Sequence, residues 1–532
     1  MRVRFPGALL AVLAWCGVAR AEPSFLWPPA KERWSAADER GYETFVTAIA
    51  ASDCHTVSEC LSAPVNPLAK GDPPGLTFSA DCADLVYMLR AYYAWKHGLP
   101  FGFVVGLEAR APHGEGDLKR TEAGNRAVIR WDVTTDAQPA DIREVFRVIG
   151  DTVSTATFRI DPRIEHPVAQ DFYSPAVTRD ALRPGSAIYN GDGHVVIVSG
   201  IDNAGRIHFL DAHPDRSVTR GVFAGQFQRG DPAIGAGFHA WRPVVLAGGR
   251  LIHPSNDQIA NFSMEQYGGP DAAADWRAAD FSEGGRNIDF VEFTRRRLAK
   301  GPLVYDILDE AALGFSGLCD ELQDRARAVE ETTIRGIYRQ PRPGRLDGVT
   351  DEERSLYFVY STPGRDRRLR THAERVSHEL TRFIGMYAKG DAAVRFKGKN
   401  LRASLRQTFG AAAKGCSAIY TDSDANRVTL TMRDMLYRMP DVSFDPYHCP
   451  ERRWGATGRE LARCDDDGVK ARWYDAEAPL RGLKPATGIA GNPTLEELGA
   501  ARGEPAPVPD FEAIIETAPE IPSKPPAKPR KR

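Results

Sequence analysis

Residues 78–93, which read FSADCADLVYMLRAYY, mark the start of a helix in the N-terminal half of the chain. Leu85, Leu89 and Tyr92 recur at intervals of four and three, the spacing of one helix face. The preceding GDPPG segment is incompatible with a helix, so the helix is predicted to begin near Cys82. A thiol there faces unpaired backbone amides and the positive end of the helix dipole, which favour the nucleophilic thiolate. The alternative interpretation is a small cysteine buried in the core.

Cysteine counting supports a special role for this thiol. The chain has eight cysteines, and Cys16 lies in residues 1–21, whose early arginines, apolar stretch and Ala-Arg-Ala end are typical of a secretory signal peptide. Export places the remaining seven in an oxidising compartment, where cysteines pair and an odd number leaves one over. Spacing does not fix the connectivity, but one plausible scheme leaves Cys82 as the free thiol. Its pairs are Cys54–Cys60, Cys319–Cys416 and Cys449–Cys464.

A predicted hairpin downstream supplies a base for the thiol. The β-branched run 194–201, a DNAG turn and the returning run 206–213 have the pattern of two antiparallel strands. If Ile201 pairs with Arg206, His213 lies opposite His194, and Asp211 is a diagonal neighbour on the same face. We therefore predict that His194 is the general base and that Asp211 orients it, with His213 as the alternative orienter. His208 projects to the other face and is excluded.

These motifs resemble the NlpC/P60 group of papain-like cysteine peptidases. The similar segments are Asp81-Cys82-Ala83-Asp84 before a helix, Leu182-Arg183-Pro184-Gly185 in a turn, and Gly193-His194-Val195-Val196-Ile197-Val198 in a strand. The resemblance implies an α+β fold, in which a helix packs on a small antiparallel sheet, and hydrolysis of peptide bonds in bacterial cell walls. It also implies that Cys82 is the nucleophile and His194 the base, with Asp211 in the place of the family's third polar residue. The spacing of cysteine and histidine exceeds that of a compact member, which implies an insertion near 110–179.

Length and composition set the organisation of the whole chain. It has 532 residues, of which 42% are hydrophobic and 26% charged, the proportions of a globular protein with several structural units. Helical patterns dominate after residue 250, notably at 288–300, 311–338, 365–389 and 401–414. The predicted units are a signal peptide (1–21), an N-terminal lead-in (22–50), a papain-like catalytic domain (51–245), a mainly helical, disulfide-bearing domain (250–485) and a disordered, proline-rich and basic tail (486–532).

Two features of the helical half have competing interpretations. The basic run Arg365, Arg367, Arg368 and Arg370 is predicted to be a solvated helix face, with contact to an anionic glycan as the alternative. Near the last two cysteines, Tyr447 and Trp454 are predicted to be exposed on a disulfide-closed loop and able to stack on sugars. A zinc site there, built on His448, Cys449 and Cys464, lacks a fourth ligand. We expect no metal and no cofactor.

Charge and hydropathy narrow the class of function. The formal net charge of −2 gives no basic excess for nucleic acid, and no apolar run beyond the first twenty residues has the length of a membrane span. The sequence predicts an exported, periplasmic or extracellular cysteine hydrolase that cleaves a peptide or amide bond, most plausibly in peptidoglycan, through a thioester. The alternatives are a catalytically silent papain-like module for envelope binding and a transglutaminase-like acyl transferase. A cell-wall peptide or another envelope component is the expected substrate, and the basic tail end is a candidate contact with an anionic surface.

Overall fold

The structure is a computed structural model of the chain. It describes residues 24–28, 31–62, 64–111, 117–135, 139–191, 193–224, 227, 230–268, 281–283, 286–345, 350–482, 494–500 and 508–520. The predicted signal peptide and the basic end of the tail, 521–532, lie outside the described residues.

The first half of the chain contains runs of helices and runs of strands, and helices dominate the second half. The helices are α1 (Ala36–Ala51), α2 (Val57–Leu61), α3 (Cys82–His97), α4 (Ile142–Thr152), α5 (Thr155–Phe158), α6 (Phe290–Leu298), α7 (Ile307–Ile334), α8 (Asp351–Tyr360), α9 (Pro363–Ala388), α10 (Leu401–Gly415), α11 (Met432–Arg438), α12 (Pro450–Arg453), α13 (Gly458–Leu461), α14 (Gly468–Ala476), α15 (Leu495–Ala500) and α16 (Phe511–Glu516). The strands are β1 (Phe103–Ala109), β2 (Asn125–Trp131), β3 (Phe172–Tyr173), β4 (Ala187–Asn190), β5 (His194–Ile201), β6 (Ile207–Ala212), β7 (Val218–Val222), β8 (Gly237–Trp241), β9 (Val245–Ala247), β10 (Arg250–Ile252), β11 (Phe281–Glu283), β12 (Arg286–Ile288), β13 (Tyr305–Asp306), β14 (Val394–Arg395), β15 (Ser417–Thr421) and β16 (Arg427–Thr431).

A six-stranded antiparallel sheet organises the first half, in the order β3-β8-β4-β5-β6-β7. Helix α3 packs on one face of this sheet, and its residues from Ala83 to Trp95 are all buried. The α+β class and the helix-on-sheet arrangement predicted from the sequence are therefore present. The predicted insertion near 110–179 contains β2, α4 and α5, and also β3, which is an edge strand of the six-stranded sheet.

The lead-in predicted for 22–50 is part of the same core. Helix α1 begins after Ser35, whose side chain accepts a hydrogen bond from the Asp38 amide and caps the helix. Its Tyr42, Phe45 and Ile49 are buried against α3. The predicted start of the domain at residue 51 is therefore wrong, because α1 supplies apolar surface that α3 needs.

The opposite face of the sheet is covered by residues that follow the predicted domain boundary at 245–250. Val196 and Val198 of β5 share a buried cluster with Phe281, Phe290 and other residues of the 281–298 segment. Strand alternation sends Val195 and Ile197 to the α3 side, so β5 is buried on both faces. The boundary is misplaced because the sheet has two apolar faces, and the second is covered by α6.

A second core joins α7, α9 and α10 in the helical half, as the helical periodicities predict. The same core includes Phe511 and Ile515 of α16, both buried. Disorder of the entire tail is therefore a wrong prediction, since these two side chains anchor a short helix against the core. The β15–β16 hairpin was not predicted from the sequence.

The three predicted disulfides are confirmed: Cys54–Cys60, Cys319–Cys416 and Cys449–Cys464. Cys82 is free, as the odd count predicts. The pairs fit an oxidising compartment. Among the described helices, we find none with the length and apolarity needed to cross a membrane.

Candidate active site

Cys82 is the first residue of α3, as predicted. The helix is capped by Asp81, whose carboxylate accepts hydrogen bonds from the amides of Ala83 (3.0 Å) and Asp84 (3.4 Å). The Cys82 thiol lies close enough to the Val195 amide, which follows His194 in the chain, for that amide to lower the thiol pKa. The Cys82 amide itself has no hydrogen-bond acceptor among the described residues, so this donor remains available at the helix terminus.

His194 and Asp211 form the tightest polar pair at the site. His194 begins β5, and its Nε2 lies 2.8 Å from a carboxylate oxygen of Asp211 on β6. The Asp211 carboxylate holds the Nε2 proton, so the neutral imidazole has Nδ1 as its free acceptor. A general base needs an unprotonated ring nitrogen of this kind to accept a proton.

The hairpin reaches this geometry by a different register from the predicted one. At the turn Ile201 pairs with Ile207, not with Arg206. Ser199 is an extra residue between the pairs Gly200–His208 and Val198–Phe209, a β-bulge that shifts the register by one. Beyond it, continuation of the pairing places His213 opposite His194, as predicted. The bulge thus compensates for the error at the turn.

His213 lies beside the pair but has other partners. Its Nε2 is 3.0 Å from the Thr219 hydroxyl and 3.6 Å from the Asp211 carboxylate, and its ring stacks on His194 with centroids 6.1 Å apart. Burial and the nearby Arg365 and Arg368 guanidinium groups hold its pKa well below the usual value. His213 is therefore neutral, and Asp211 has the closer contact with His194.

The structure brings the Cys82 thiol near the Val195 amide but does not close a Cys–His contact, because α3 packs on the face of β5 that carries Val195 and Ile197, whereas His194 alternates onto the face of Val196. Among the described residues, the thiol has no hydrogen bond with the imidazole. Catalytic hydrogen bonds are often long before substrate binds and shorten in the substrate complex.

The electrostatics of the thiol differ from the sequence prediction. Burial raises the pKa of Cys82 well above its usual value, and the carboxylates of Asp81 and Asp211 raise it further. The Val195 amide has the opposite effect and lowers the pKa of the thiol. A pKa lowered by the helix terminus was predicted, and this is wrong because burial disfavours the charged thiolate and the capping Asp81 adds a negative charge beside it.

Asp84 is a polar residue of the site that sequence reasoning did not assign. It is buried in the first turn of α3, and burial and the Asp81 carboxylate raise its pKa to about 8. One of its carboxyl oxygens is buried without a hydrogen-bond partner. Asp84 is therefore largely protonated near neutral pH, which limits the negative charge around Cys82.

The helical half contributes arginines to the same site. Arg365 of α9 bonds Asp324 of α7 (2.8 Å) and Asp215 of the sheet half (2.8 Å), and all three side chains are largely buried. Arg368, one turn further, lies 3.5 Å from His194 Nε2, while its other terminal nitrogen lies 3.4 Å from Nδ1 of His213. The predicted solvated face is therefore wrong at these positions, because the sheet half covers it.

A cavity of about 260 Å³ lies between the two halves at this point. The sheet side contributes His194, Asp211 and Thr219, and the helical side contributes Arg327 and Arg368. No sequence signal placed α9 there, because an amphipathic helix shows which face is polar but not what that face meets.

Two groups of side chains have ligand types suited to a metal, but the imidazole of one group and both sulfurs of the other are engaged. Asp445, His448 and Glu477 are buried together, yet the two ring nitrogens of His448 contact the Ser443 hydroxyl (2.6 Å) and the Lys470 carbonyl (3.1 Å). The second group contains Cys449 and Cys464, which form a disulfide and offer no thiolate.

The predicted aromatic sugar platform is absent from its expected positions. Tyr447 and Trp454 are each only 1% exposed. Trp454 stacks on Tyr420 within the helical core, and the Arg325 guanidinium lies over its ring. The aromatic density in this sequence therefore reflects packing of the disulfide-closed loop, and the prediction of exposure is wrong.

Comparison with protein-family models, with curated proteins and with solved structures finds no match to this chain.

Proposed function

We propose that this protein is an exported cysteine hydrolase that cleaves a peptide or amide bond, with peptidoglycan as the substrate. The observation that carries the proposal is the position of the free Cys82 at the start of α3. There its thiol is close enough to the Val195 amide and the Asp211 carboxylate for both to shift its pKa, and Asp211 lies 2.8 Å from His194 Nε2. A free thiol and an imidazole oriented by a carboxylate are the components of a cysteine nucleophile with its base.

The chemistry follows from the groups in place. His194 Nδ1 removes the thiol proton as Cys82 attacks the carbonyl carbon, because the raised pKa leaves little preformed thiolate. The unpaired Cys82 amide stabilises the developing oxyanion. His194 returns the proton to the leaving amine as the C–N bond breaks, and a thioester remains on Cys82. Water, activated by the same imidazole, releases the acid and restores the thiol.

A catalytically silent binding module is the second candidate. The raised pKa of the thiol and the missing hydrogen bond to His194 favour it. Such a module would retain the cavity between the halves and the buried arginine pairs without turnover.

The two candidates are separated by assays on the mature full chain. Cys82→Ala and His194→Ala should each lower the release of amines or peptides from lysozyme-digested peptidoglycan by about 10³-fold, since nucleophile and base act as one unit. Asp211→Asn should cost less, about 10- to 100-fold, and His213→Ala less than Asp211→Asn. Release is followed by mass spectrometry of the soluble products.

His208→Ala is the matched control, because His208 lies on the neighbouring strand outside the site. It should retain wild-type turnover. No release by the wild type, or equal release by wild type and Cys82→Ala, contradicts the hydrolase proposal and leaves the binding module.

A further inference from the structure

The Arg368 guanidinium has an unusual environment for a charged side chain facing a cavity. Its described polar contacts are the rings of His194 and His213. Among the described residues no carboxylate lies within ion-pair distance of it. Nearby, Asp211 is bonded to His194, and Asp324 is bonded to Arg365. Arg368 therefore has no direct carboxylate partner of its own among the described residues, although Asp211 and Asp324 lie in the same cavity.

The contact with His194 is electrostatic and not a hydrogen bond. The imidazole Nε2 carries the proton that Asp211 accepts at 2.8 Å, so it has no lone pair for Arg368 at 3.5 Å. A positive charge in this position disfavours the imidazolium that forms during catalysis. An anion bound to Arg368 would remove that penalty, which gives a physical reason for a negative group of the substrate at this point.

The space around Arg368 accommodates such a group. The cavity of about 260 Å³ contains both Arg368 and His194. A neighbouring cavity of about 310 Å³ shares Phe209, Arg220, Asp320 and Glu321 with it and has apolar walls from Val376 and Phe383. A planar guanidinium forms two parallel hydrogen bonds with a carboxylate, which makes the carboxylate its best-matched partner.

We propose that Arg368, supplied by the helical half, is a specificity residue that binds a free carboxylate of the substrate in the cavity beside His194. This inference rests on the proposed function. The substrate class is then narrowed to peptides or amides with a carboxylate close to the scissile bond. The helical half is part of the substrate site, not a separate platform.

The first test compares lysozyme-digested peptidoglycan fragments with the same fragments after carbodiimide-driven amidation of their carboxylates. The wild-type full chain should prefer the untreated fragments, and Arg368→Gln should lower that preference in kcat/KM by about tenfold, mainly through KM. Arg368→Lys should retain part of it, because it keeps the charge but loses the planar fork. Arg367→Gln, an exposed arginine of the same helix, is the matched control and should leave the preference unchanged.

The second test needs no hydrolysis. Iodoacetate and iodoacetamide alkylate the same thiol, but only iodoacetate carries a negative charge. The ratio of their rates at Cys82 therefore reports how strongly the site attracts an anionic reagent. Arg368→Gln should lower the iodoacetate-to-iodoacetamide ratio by about fivefold, and Arg367→Gln should leave it unchanged.

The two tests separate the inference from the function on which it rests. A lowered alkylation ratio with no hydrolysis by the wild type keeps the anion site and rejects the hydrolase. Hydrolysis with the same substrate preference in wild type and Arg368→Gln overturns the inference, whatever the alkylation ratio, and leaves the hydrolase standing. An unchanged alkylation ratio together with no hydrolysis rejects both.

Discussion

The two halves of the molecule present their polar residues in different ways. In the sheet half, the polar side chains that matter are few and lie at the ends of apolar elements, such as Cys82 at the start of α3 and His194 at the start of β5. In the helical half they lie within a long amphipathic helix, where Arg365 and Arg368 look like any solvated face. The difference teaches that a polar residue stands out in a sequence only where its surroundings are apolar.

Removal of the helical half is the test of this comparison with the largest expected effect. A fragment of residues 22–250 loses Phe281, Ile288, Phe290 and Leu298, which cover the second face of the sheet. Burial of four such side chains contributes roughly 6–12 kcal/mol, comparable with the whole stability of a typical domain. The fragment should therefore show no cooperative unfolding in urea, measured by near-ultraviolet circular dichroism.

A fragment of residues 22–300 is the matched control, because it keeps α6 and should recover a cooperative transition. If the shorter fragment unfolds as cooperatively as the longer one, the sheet half is independent and the boundary near residue 245 is restored.

The register of the hairpin shows how far sequence reasoning reaches at the site. Alternation of polar and apolar residues correctly places His194, Asp211 and His213 on one face, because that pattern depends only on the pleat. The bulge at Ser199 could not be predicted, because a serine at this position of a strand is equally compatible with regular pairing and with a bulge. The site was predictable because the error at the turn and the bulge cancel.

Other features depend on contacts that are distant in the chain. The positions of Cys82 and of the three disulfides followed from counting and spacing. The burial of Trp454 and the pairing of Arg365 with Asp215 arise from residues that are far apart in sequence. Helical periodicity identifies a polar face but does not say whether water or another element covers it. The raised pKa of the thiol likewise depends on Asp211, over a hundred positions away.

A smaller test concerns the ion pairs that connect the halves. Arg365→Met removes the guanidinium from Asp215 and Asp324 and leaves two largely buried carboxylates without it. Loss of one partner from a buried pair costs about 3–5 kcal/mol. The free energy of unfolding, from the urea midpoint and slope of the full chain, should fall by that amount.

The control is Arg335→Met, which breaks an exposed pair with Glu331 (2.7 Å) on α7. Exposed pairs contribute about 0–1 kcal/mol, so this variant should remain close to wild type. Equal losses in the two variants would show that Arg365 lies in a solvated environment, as the helix pattern alone predicts.

The smallest expected effect is a change in the reactivity of the Cys82 thiol. The helix terminus and the burial of the thiol shift its pKa in opposite directions. A helix terminus alone lowers the pKa of Cys82, whereas burial and the carboxylates of Asp81 and Asp211 raise it. Only the thiolate reacts with iodoacetamide, so a raised pKa means that the alkylation rate continues to increase with pH beyond 9, about the usual pKa of a free thiol.

Asp81→Asn keeps the side-chain oxygen that caps α3 but removes its negative charge. The variant should therefore react about three- to tenfold faster at pH 7, since one pKa unit is a tenfold change in thiolate. Asp117→Asn, an exposed aspartate of the same half, is the control and should react as the wild type does. A wild-type rate that reaches its plateau below pH 8 would show that the helix terminus dominates, and the preformed thiolate predicted from the sequence would then be the resting state of Cys82.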